Sequence, residues 1–402
     1  MPGVGNPTPG KFQRRQNMKE KVIALVKGDG AAPEIMDVAC KIVIEAAKKD
    51  DVKIIFEETP MGWNAYEKYG DTLPPEMFKR AKEIGTIFFG GVGDTAIDKT
   101  IGSVKPHLKP EARCLLALRE EMGLLLNFRP VIFLKELDYI SKVKPEMIPD
   151  TGIKQIWIRF LLEDSYFGNA YMTDRLGAES SKNFCIKMKD SVIGDENIII
   201  DIAYYKKETV EKYMRAAFKY AERNNLPVIS IDKANVMSRY VFWRKIATRI
   251  QKEEFPHVPL KHQYVDSANA LLFTPAELNG VIMCGNEHGD ILSDGAVGAL
   301  GSMGLMCSSA INPDTGAAMF ESGAGTACNI AGKDIANPIG RIWTGAMMLE
   351  HIGCVNGVKA INDAVVKVLK KGYRTIDLAS PATSFVMKLG TKEMGEKIFS
   401  FL

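Results

Sequence analysis

Three aspartates in the C-terminal half of the chain have the spacing of a metal site. Asp290 and Asp294 stand four residues apart in the segment GDILSD, so a helix would place both carboxylates on one face. Asp266 precedes them in HQYVDSANA. Carboxylate oxygens suit Mg²⁺ or Mn²⁺ rather than Zn²⁺. The spacing therefore indicates a divalent metal site, although acids that favour the start of a helix would form the same pattern.

Three arginines could bind an anionic ligand. Arg119, Arg129 and Arg159 occur in LLALRE, NFRP and WIRF, each beside an apolar stretch where a solvated guanidinium is less expected. Guanidinium groups that converge on a carboxylate bind it through paired hydrogen bonds. Each arginine alone would more often be a surface or ion-pair residue, so the prediction depends on the three side chains meeting.

A lysine and a tyrosine are candidates for proton transfer. Lys233 follows the apolar run VISID, which predicts a strand whose end places the ammonium group in a cleft. A lysine held there can shift its pKa and exchange a proton. Tyr166 lies in EDSYFG, a turn-like context that suits a phenolic proton donor, although core packing is the more common role of a tyrosine.

A glycine-rich segment could bind the phosphates of a nucleotide. Residues 323–327 read GAGTA, and residues 329–332 read NIAG, so the backbone amides of this loop can face a phosphate. The pattern is not the GxGxxG of a Rossmann fold, which requires a strand before it and a helix that opens within it. The chain also has neither a Walker A motif nor a nucleophile elbow.

The elements that must position these residues alternate between strands and helices. Such alternation predicts an α/β fold with a largely parallel sheet. Residues 137–152, with Pro and Gly among charges, are interpreted as a surface insertion. The predicted strands are 21–26, 52–57, 84–89, 153–162 and 228–232, with 198–205 extended, and the predicted helices are 32–49, 207–224, 339–351 and 363–371.

Composition excludes several classes of protein. The 402 residues predict two or three domains, and a formal net charge of +3 without a basic run gives no reason to expect nucleic acid as a partner. No apolar stretch approaches the roughly 18 residues of a membrane-spanning helix. Residues 1–20 are predicted to be a flexible extension. The seven cysteines show no metal spacing and indicate free thiols in a reducing cytoplasm.

Taken together, these segments resemble the β-decarboxylating dehydrogenase family, which includes isocitrate, 3-isopropylmalate, homoisocitrate and tartrate/D-malate dehydrogenases. The resemblance runs from Lys21 to the C-terminus. It is carried, in family order, by GDGAAPEI (28–35), LLALREEMGLLLNFRP (115–130), RFLLEDSYFG (159–168), DKANV (232–236), YVD (264–266), GDILSD (289–294) and IAGKDIANP (330–338).

The resemblance implies a fold and an assembly. The fold would be a two-domain α/β unit of the isocitrate/isopropylmalate dehydrogenase type with a cleft between the domains, and not a Rossmann fold. Residues 21–124 and 301–402 would form the large domain, and residues 125–300 the small domain with the dimer interface. In relatives, the lysine and one aspartate reach the site from the neighbouring subunit, which implies a homodimer with shared active sites.

The resemblance also implies roles for individual residues. Arg119, Arg129 and Arg159 would bind the carboxylates of a small-molecule malate. Tyr166 and Lys233 would be the catalytic pair, with Asp266 assisting the lysine. The metal ligands, for Mg²⁺ or Mn²⁺, would be Asp266, Asp290 and Asp294. The cofactor-binding residues would be Asn286, Gly323, Ala324, Gly325, Thr326, Ala327, Asn329, Ile330 and Asn337.

The cofactor loop departs from the family pattern. Most relatives carry His where this chain has Ala324, and Pro-Asp where it has Cys328 and Asn329. NADP-preferring relatives carry Lys-Tyr where this chain has Asn329 and Ile330. Because isoleucine is the NAD-type residue and neither position offers a cation for a 2′-phosphate, NAD is the predicted cofactor.

Substrate choice is predicted from residues 113–116. Leu115 and Leu116 match the leucines that isopropylmalate-type relatives place against the isopropyl group. Arg113 departs from both patterns, and it would be paired if it faced the extra carboxylate of isocitrate. On that ground isocitrate is the expected substrate, and 3-isopropylmalate and other C3-substituted malates are the alternatives. A non-catalytic regulatory subunit is the alternative of a different class.

Overall fold

The computed structural model describes residues 18–167 and 202–402, and between them only the backbone of two short paired strands. The chain forms a mixed ten-stranded sheet with the order β2-β1-β3-β12-β11-β4-β5-β10-β8-β9. The strands are β1 Lys19–Val26, β2 Val52–Glu58, β3 Thr86–Phe89, β4 Leu126–Val131, β5 Gln155–Phe160, β6 Lys187–Met188, β7 Ser191–Val192, β8 Val228–Asp232, β9 Leu260–Tyr264, β10 Gly280–Cys284, β11 Ser309–Ile311 and β12 Ala318–Glu321.

The sheet consists of two parallel blocks that run in opposite directions. One block contains β2, β1, β3 and β12, and the other contains β5, β10, β8 and β9. Strands β11 and β4 lie between the blocks and pair antiparallel with each other and with β12 and β5. The direction of the chain therefore reverses at the middle of the sheet, which is where crevices form in α/β proteins.

Helices pack on the sheet, and the apolar side chains between helices and strands form the hydrophobic core. Helices α1, α11, α12 and α13 bury apolar side chains against the first block, and α7 and α8 pack against the second. Their bounds are α1 Ala32–Ala47, α2 Trp63–Tyr69, α3 Pro75–Ile84, α4 Thr95–Lys99, α5 Ile101–Val104, α6 Ala117–Glu121, α7 Lys207–Arg223, α8 Ser238–Glu254, α9 Val265–Ala270, α10 Asn286–Leu300, α11 Ile339–His351, α12 Val355–Lys370 and α13 Thr391–Phe399.

The predicted fold class is confirmed, because the structure is a mixed α/β fold with one large sheet. The predicted strand at 228–232 and helix at 339–351 have the observed bounds. The helix predicted at 363–371 begins at residue 355, residues 202–205 of the segment predicted to be extended form no strand, and the other elements differ mainly at their ends. Within the described ranges, no helix is long and apolar enough to cross a membrane. The division into two domains stays a prediction. Residues 1–17 of the predicted extension and residues 198–201 lie outside the described residues.

The segment 137–152 is only partly a surface insertion. It contains short 3₁₀ turns, yet Leu137 and Val143 are 2% and 5% exposed. Tyr139 accepts a 2.7 Å hydrogen bond from Nε of buried Arg374, and Lys142 N–H donates to the Ala299 carbonyl at the end of α10. The insertion therefore ties the C-terminal part of the chain to the helix that carries Asp290 and Asp294.

Candidate active site

A cavity of about 470 Å³ lies where the two blocks of the sheet meet. Residues from β4, β5, α6, α10 and the loop after β12 contribute to its wall, so distant parts of the sequence converge there. A π-helical segment, Glu111–Leu116, leads directly into α6 and forms one side. The lining residues are Glu111, Ala112, Leu115, Leu116, Arg119, Arg129, Arg159, Tyr166, Asp290, Asp294, Ser308, Glu321, Ser322, Gly323 and Gly325.

The pairing of β4 with β5 brings two of the predicted arginines together. Asn127 lies opposite Arg159 in the antiparallel register, and Arg129 is two residues further along β4. Side chains at alternate strand positions share a face, so all three point to the same side of the sheet. The side chains of Arg129 and Arg159 are 8% and 2% exposed. Two nearly buried cations at one place require anionic partners.

The third arginine reaches the cavity from α6. Arg119 Nη2 lies 3.5 Å from Glu321 Oε2 at the end of β12. Within the described part of the chain, buried Arg119 Nε and Arg159 Nη2 have no hydrogen-bond partner. Burial and the neighbouring charge of Arg129 lower the pKa of Arg159 to about 9. Unpaired donors on crowded, buried cations indicate a site that binds an anion.

The two predicted metal ligands on α10 face the same cavity. Asp290 forms ion pairs with Arg159 and with Arg129, whose Nη2 lies 2.9 Å from Asp290 Oδ1. Asp294 Oδ1 lies 3.0 Å from Arg129 Nη1. Burial acts to raise the pKa of Asp290, but the two guanidinium groups outweigh it and lower the pKa. Burial raises the pKa of Asp294. Two carboxylates one helical turn apart in a polar cavity suit a hard divalent cation.

Tyr166 lies at the cavity wall with its hydroxyl directed to the acidic pair. Its O–H donates to Asp290 Oδ2 at 2.9 Å, and the guanidinium carbon of Arg159 lies 5.3 Å from its ring centroid. The side chain is 40% exposed, so it is not a core residue. Burial of the hydroxyl and the charge of Asp290 raise the pKa of Tyr166 to about 12, which keeps the phenol protonated at neutral pH.

Lys233 and Asp266 form an ion pair outside the cavity lining. Lys233 follows β8 as predicted, and the hydrogen bond from its ammonium group lowers the pKa of Asp266. In the described residues, no group of three or more potential metal ligands comes together, so Asp266 does not join Asp290 and Asp294 within one chain. The cavity of a single chain therefore holds six of the eight residues predicted to bind substrate carboxylates or metal or to act in catalysis, and Lys233 and Asp266 are the two outside it.

Comparison with known proteins identifies this arrangement. A family model described as isocitrate/isopropylmalate dehydrogenase matches residues 22–398. The 3-isopropylmalate dehydrogenase of Clostridium pasteurianum is 35% identical over 387 residues, which cover 96% of this chain and 100% of that protein. The 3-isopropylmalate dehydrogenase of Haemophilus influenzae is 35% identical over 382 residues, which cover 95% of this chain and 99% of that protein. The chain belongs to the isocitrate/isopropylmalate dehydrogenase family.

A solved structure of the same family supports the fold. The isocitrate dehydrogenase from Methylococcus capsulatus matches with a TM-score of 0.76 and 29% sequence identity, and the match covers 94% of this chain and 98% of that one. Members of the isocitrate/isopropylmalate dehydrogenase family are decarboxylating dehydrogenases. The predicted family and reaction class are thereby confirmed.

The loop after β12 lies where a family cofactor loop is expected, and its backbone is held by glycine turns. Ala31 N–H donates to the Thr326 carbonyl at 2.8 Å, and a Cβ on Gly91 would come within 3.2 Å of the Gly325 carbonyl. The carboxyl ends of parallel β1, β3 and β12 thus meet beneath the loop. Gly323 and Gly325 line the cavity, whereas Ala324, Thr326, Ala327, Asn329 and Ile330 do not.

A cation lies beside this loop, contrary to the expectation from residues 329 and 330. Lys333 Nζ donates to the Asn329 carbonyl at 2.9 Å. Asn337 is held by Asp377, which accepts from its Nδ2 at 3.0 Å, and its Oδ1 accepts from Ile339 N–H. Asn337 therefore lies two residues before α11 begins and has a fixed side chain, without lining the cavity.

Arg113 does not line the cavity. Its Nε and Nη2 donate to both carboxylate oxygens of Asp71 at 2.9 and 2.8 Å, so the charge is already paired. Leu115 and Leu116 do line the cavity. Arg113 therefore does not support isocitrate as the substrate, because its side chain points away from the cavity and toward Asp71.

Asn286, a predicted cofactor-binding residue, packs against Arg159. It is fully buried at the start of α10, and its side chain binds Arg159 and the backbone of residues 161 and 163. Both polar atoms of its side chain are thus engaged within the chain, next to Arg159. Its predicted contact with the cofactor stays a prediction.

Sequence reasoning missed two further residues, one that lines the cavity and one that contacts a cavity arginine. Glu111 lines the cavity, and it precedes Leu115 by four residues and Arg119 by eight, which is helical spacing. Partial burial and the negative charges of Asp98 and Glu321 raise the pKa of Glu111. Asn127 lies two residues before Arg129, the spacing of one strand face, and that spacing was the available signal.

Proposed function

We propose that the chain catalyses the NAD-dependent oxidative decarboxylation of a malate with an apolar substituent at C3, of which 3-isopropylmalate is the first candidate. The observation that carries this proposal is the cavity in which Arg119, Arg129 and Arg159 converge beside Asp290 and Asp294. Buried guanidinium donors without partners bind carboxylates, and paired acids bind the divalent ion.

The cavity wall favours an apolar substituent over a third carboxylate. Leu115 and Leu116 offer apolar surface beside the arginine cluster, while Arg113 is engaged by Asp71. The same wall carries Glu111, whose charge would repel a further carboxylate. The 35% identity to 3-isopropylmalate dehydrogenases over nearly the whole chain supports the same choice. Isocitrate, the substrate favoured from sequence, becomes the second candidate, supported by the match to the Methylococcus capsulatus enzyme.

The residues that are present fit a divalent ion and the family chemistry. Asp290 and Asp294 would hold Mg²⁺ or Mn²⁺, with Asp266 of a second copy as the third ligand, and the ion would supply Lewis acidity toward the substrate oxygens. The arginines bind and orient the substrate carboxylates. Lys233 and Asp266 can take the proton of the hydroxyl, and Tyr166 returns a proton to C3 after CO₂ leaves.

The arrangement of Lys233 supports a homodimer with shared sites. Lys233 and Asp266 are outside the cavity of their own chain, on a surface that exposes apolar side chains. Val236, Phe273 and Ile291 are 70%, 59% and 63% exposed. A second copy that covers this apolar surface would bring its lysine and aspartate to the cavity and complete the metal site.

The cofactor is proposed to be NAD. Ile330 is the NAD-type residue, and it stands where NADP-preferring relatives carry the tyrosine. Lys333 is occupied with the Asn329 carbonyl, so its position weakens the preference without reversing it.

The test is turnover of 3-isopropylmalate and of isocitrate, offered separately with Mg²⁺ and either NAD or NADP, followed by absorbance of the reduced nicotinamide. We expect NAD reduction with 3-isopropylmalate at a kcat/KM at least about tenfold above that with isocitrate. Preference for isocitrate would reverse the substrate assignment. Absence of turnover with every malate, despite a folded dimer, would support the non-catalytic subunit.

A further inference from the structure

Two buried asparagines each accept a hydrogen bond from the Nε atom of a cavity arginine. Arg129 Nε donates to Asn127 Oδ1 at 2.8 Å, and Arg159 Nε donates to Asn286 Oδ1 at 2.9 Å. Asn127 is 3% exposed and Asn286 is fully buried. One contact comes from the same strand and the other from the start of α10, so the arrangement does not follow from one local motif.

Each asparagine is in turn fixed by its amide nitrogen. Asn127 Nδ2 donates to Ser308 Oγ at 2.7 Å and to the Ser309 carbonyl at 3.0 Å. Asn286 Nδ2 donates to the carbonyls of Leu161 at 2.7 Å and Glu163 at 3.2 Å. A side chain held at both ends of its amide has one orientation, so its oxygen is a fixed acceptor.

We propose that Asn127 and Asn286 are positioning residues that aim the guanidinium groups of Arg129 and Arg159 at the substrate carboxylates. A guanidinium is planar, so holding Nε fixes the direction of the two terminal nitrogens. In Arg159 that leaves buried Nη2 without a partner, beside the cavity. The inference rests on the proposed function, because it assigns the aim of groups that bind the malate.

Asn286 also connects the arginine to the catalytic tyrosine. Its backbone N–H donates to Asp164 Oδ2 at 3.1 Å, and its side chain binds the Glu163 carbonyl. Glu163 and Asp164 have φ of +74° and +66°, a conformation that costs free energy in residues other than glycine. The side-chain contact to Glu163 helps to hold the strained turn that precedes Tyr166, so removal of the Asn286 side chain should displace Tyr166 as well as Arg159.

The first experiment compares three alanine variants in steady-state kinetics with 3-isopropylmalate, NAD and Mg²⁺. Asn127→Ala should raise the substrate KM about tenfold and leave kcat within about threefold. Asn286→Ala should raise KM similarly and also lower kcat about tenfold, and neither should change the KM for NAD by more than about twofold. The control is Asn312→Ala, since Asn312 binds the Met122 carbonyl at 2.9 Å outside the cavity lining.

A double-mutant cycle separates positioning from general stability. In Arg129→Lys the planar guanidinium and its Nε–H are absent, so Asn127 has no group to orient. Asn127→Ala should therefore alter KM by less than about twofold in the Arg129→Lys background. An equal loss in both backgrounds would overturn the proposal, as would unchanged KM in both alanine variants. If Asn286→Ala does not fold, Asn286→Ser keeps a small polar side chain in the buried site, cannot reach Arg159 in the same way, and should show the same KM and kcat changes.

Failure of the proposed function is distinguishable from failure of this inference. Turnover by the unmodified enzyme is measured first, and its absence with every malate rejects the function. Calorimetric binding of 3-isopropylmalate then tests the asparagines without turnover: about tenfold weaker binding to Asn127→Ala supports the positioning role, and equal binding rejects it.

Discussion

Replacing Arg113 by leucine tests how this enzyme chooses its substrate. Arg113 lies on the π-helical segment, but its side chain leaves the cavity and binds Asp71 through two hydrogen bonds. We therefore expect Arg113→Leu to change the ratio of kcat/KM for 3-isopropylmalate and isocitrate by less than about threefold. If the guanidinium did pair with a substrate carboxylate, its loss would cost at least about 2 kcal/mol, or roughly 30-fold in that ratio.

The same substitution should have a small effect on stability. The side chains of Arg113 and Asp71 are 33% and 28% exposed, so the pair is partly screened and contributes about 1 kcal/mol. Burial acts to raise the pKa of Asp71, but the hydrogen bonds from Arg113 and from Leu73 N–H outweigh it, so the pKa lies below the ordinary 3.8. A depressed carboxyl pKa stabilises the fold above the unfolded value, and this contribution is lost as the pH falls through the folded pKa.

Thermal unfolding and parallel kinetics measure both effects. For a chain of this size, about 1 kcal/mol corresponds to roughly 1 °C in Tm, and the difference should persist from pH 7 to about pH 4 and vanish below it. Asp71→Asn serves as the matched control, because it breaks the same pair from the other side. A collapse of isocitrate turnover in Arg113→Leu but not in Asp71→Asn would refute the reasoning and return Arg113 to the substrate.

Three further substitutions address the other parts of the proposal. Tyr166→Phe should lower kcat about 100-fold with little change in the NAD KM, and a loss below about threefold would remove the tyrosine from proton transfer. Ile291→Glu should convert the dimer to an inactive monomer in sedimentation and activity assays, and full activity as a monomer would exclude shared sites. Asn329→Asp should increase the NAD-to-NADP ratio of kcat/KM about tenfold, because a carboxylate repels a 2′-phosphate, and an unchanged ratio would place the cofactor determinant elsewhere.

Much of the site follows from spacing alone. The i, i+4 spacing of Asp290 and Asp294 places both carboxylates on one face of α10, and alternation along β4 and β5 places Arg129 and Arg159 on one face of the sheet. These are short-range consequences of helix and strand geometry. The meeting of Arg119 with them was predicted only through the family resemblance, because it depends on how the two blocks of the sheet join.

The direction of Arg113 was also available from spacing, although it was not used. Residues 111, 115 and 119 repeat every four positions, whereas Arg113 is two residues from Glu111 and Leu115 and therefore faces another side. The π-helical turn itself was not predictable, because its i→i+5 hydrogen bonding has no signature in residue type. Nor could spacing show that Asn286 would be buried against Arg159, a contact between β5 and a helix that begins more than one hundred residues later.

The charges around the cavity argue for a dicarboxylate delivered together with its metal. Three guanidinium groups share the lining with four carboxyl groups, those of Glu111, Asp290, Asp294 and Glu321. The existing ion pairs already balance the arginines, so an incoming dianion gains little unless a divalent cation takes over Asp290 and Asp294 and frees the guanidinium groups. A malate with an uncharged substituent and one divalent ion add no net charge. Isocitrate would bring one uncompensated carboxylate to a wall that already holds Glu111, and the same electrostatics that require the metal therefore oppose the third carboxylate.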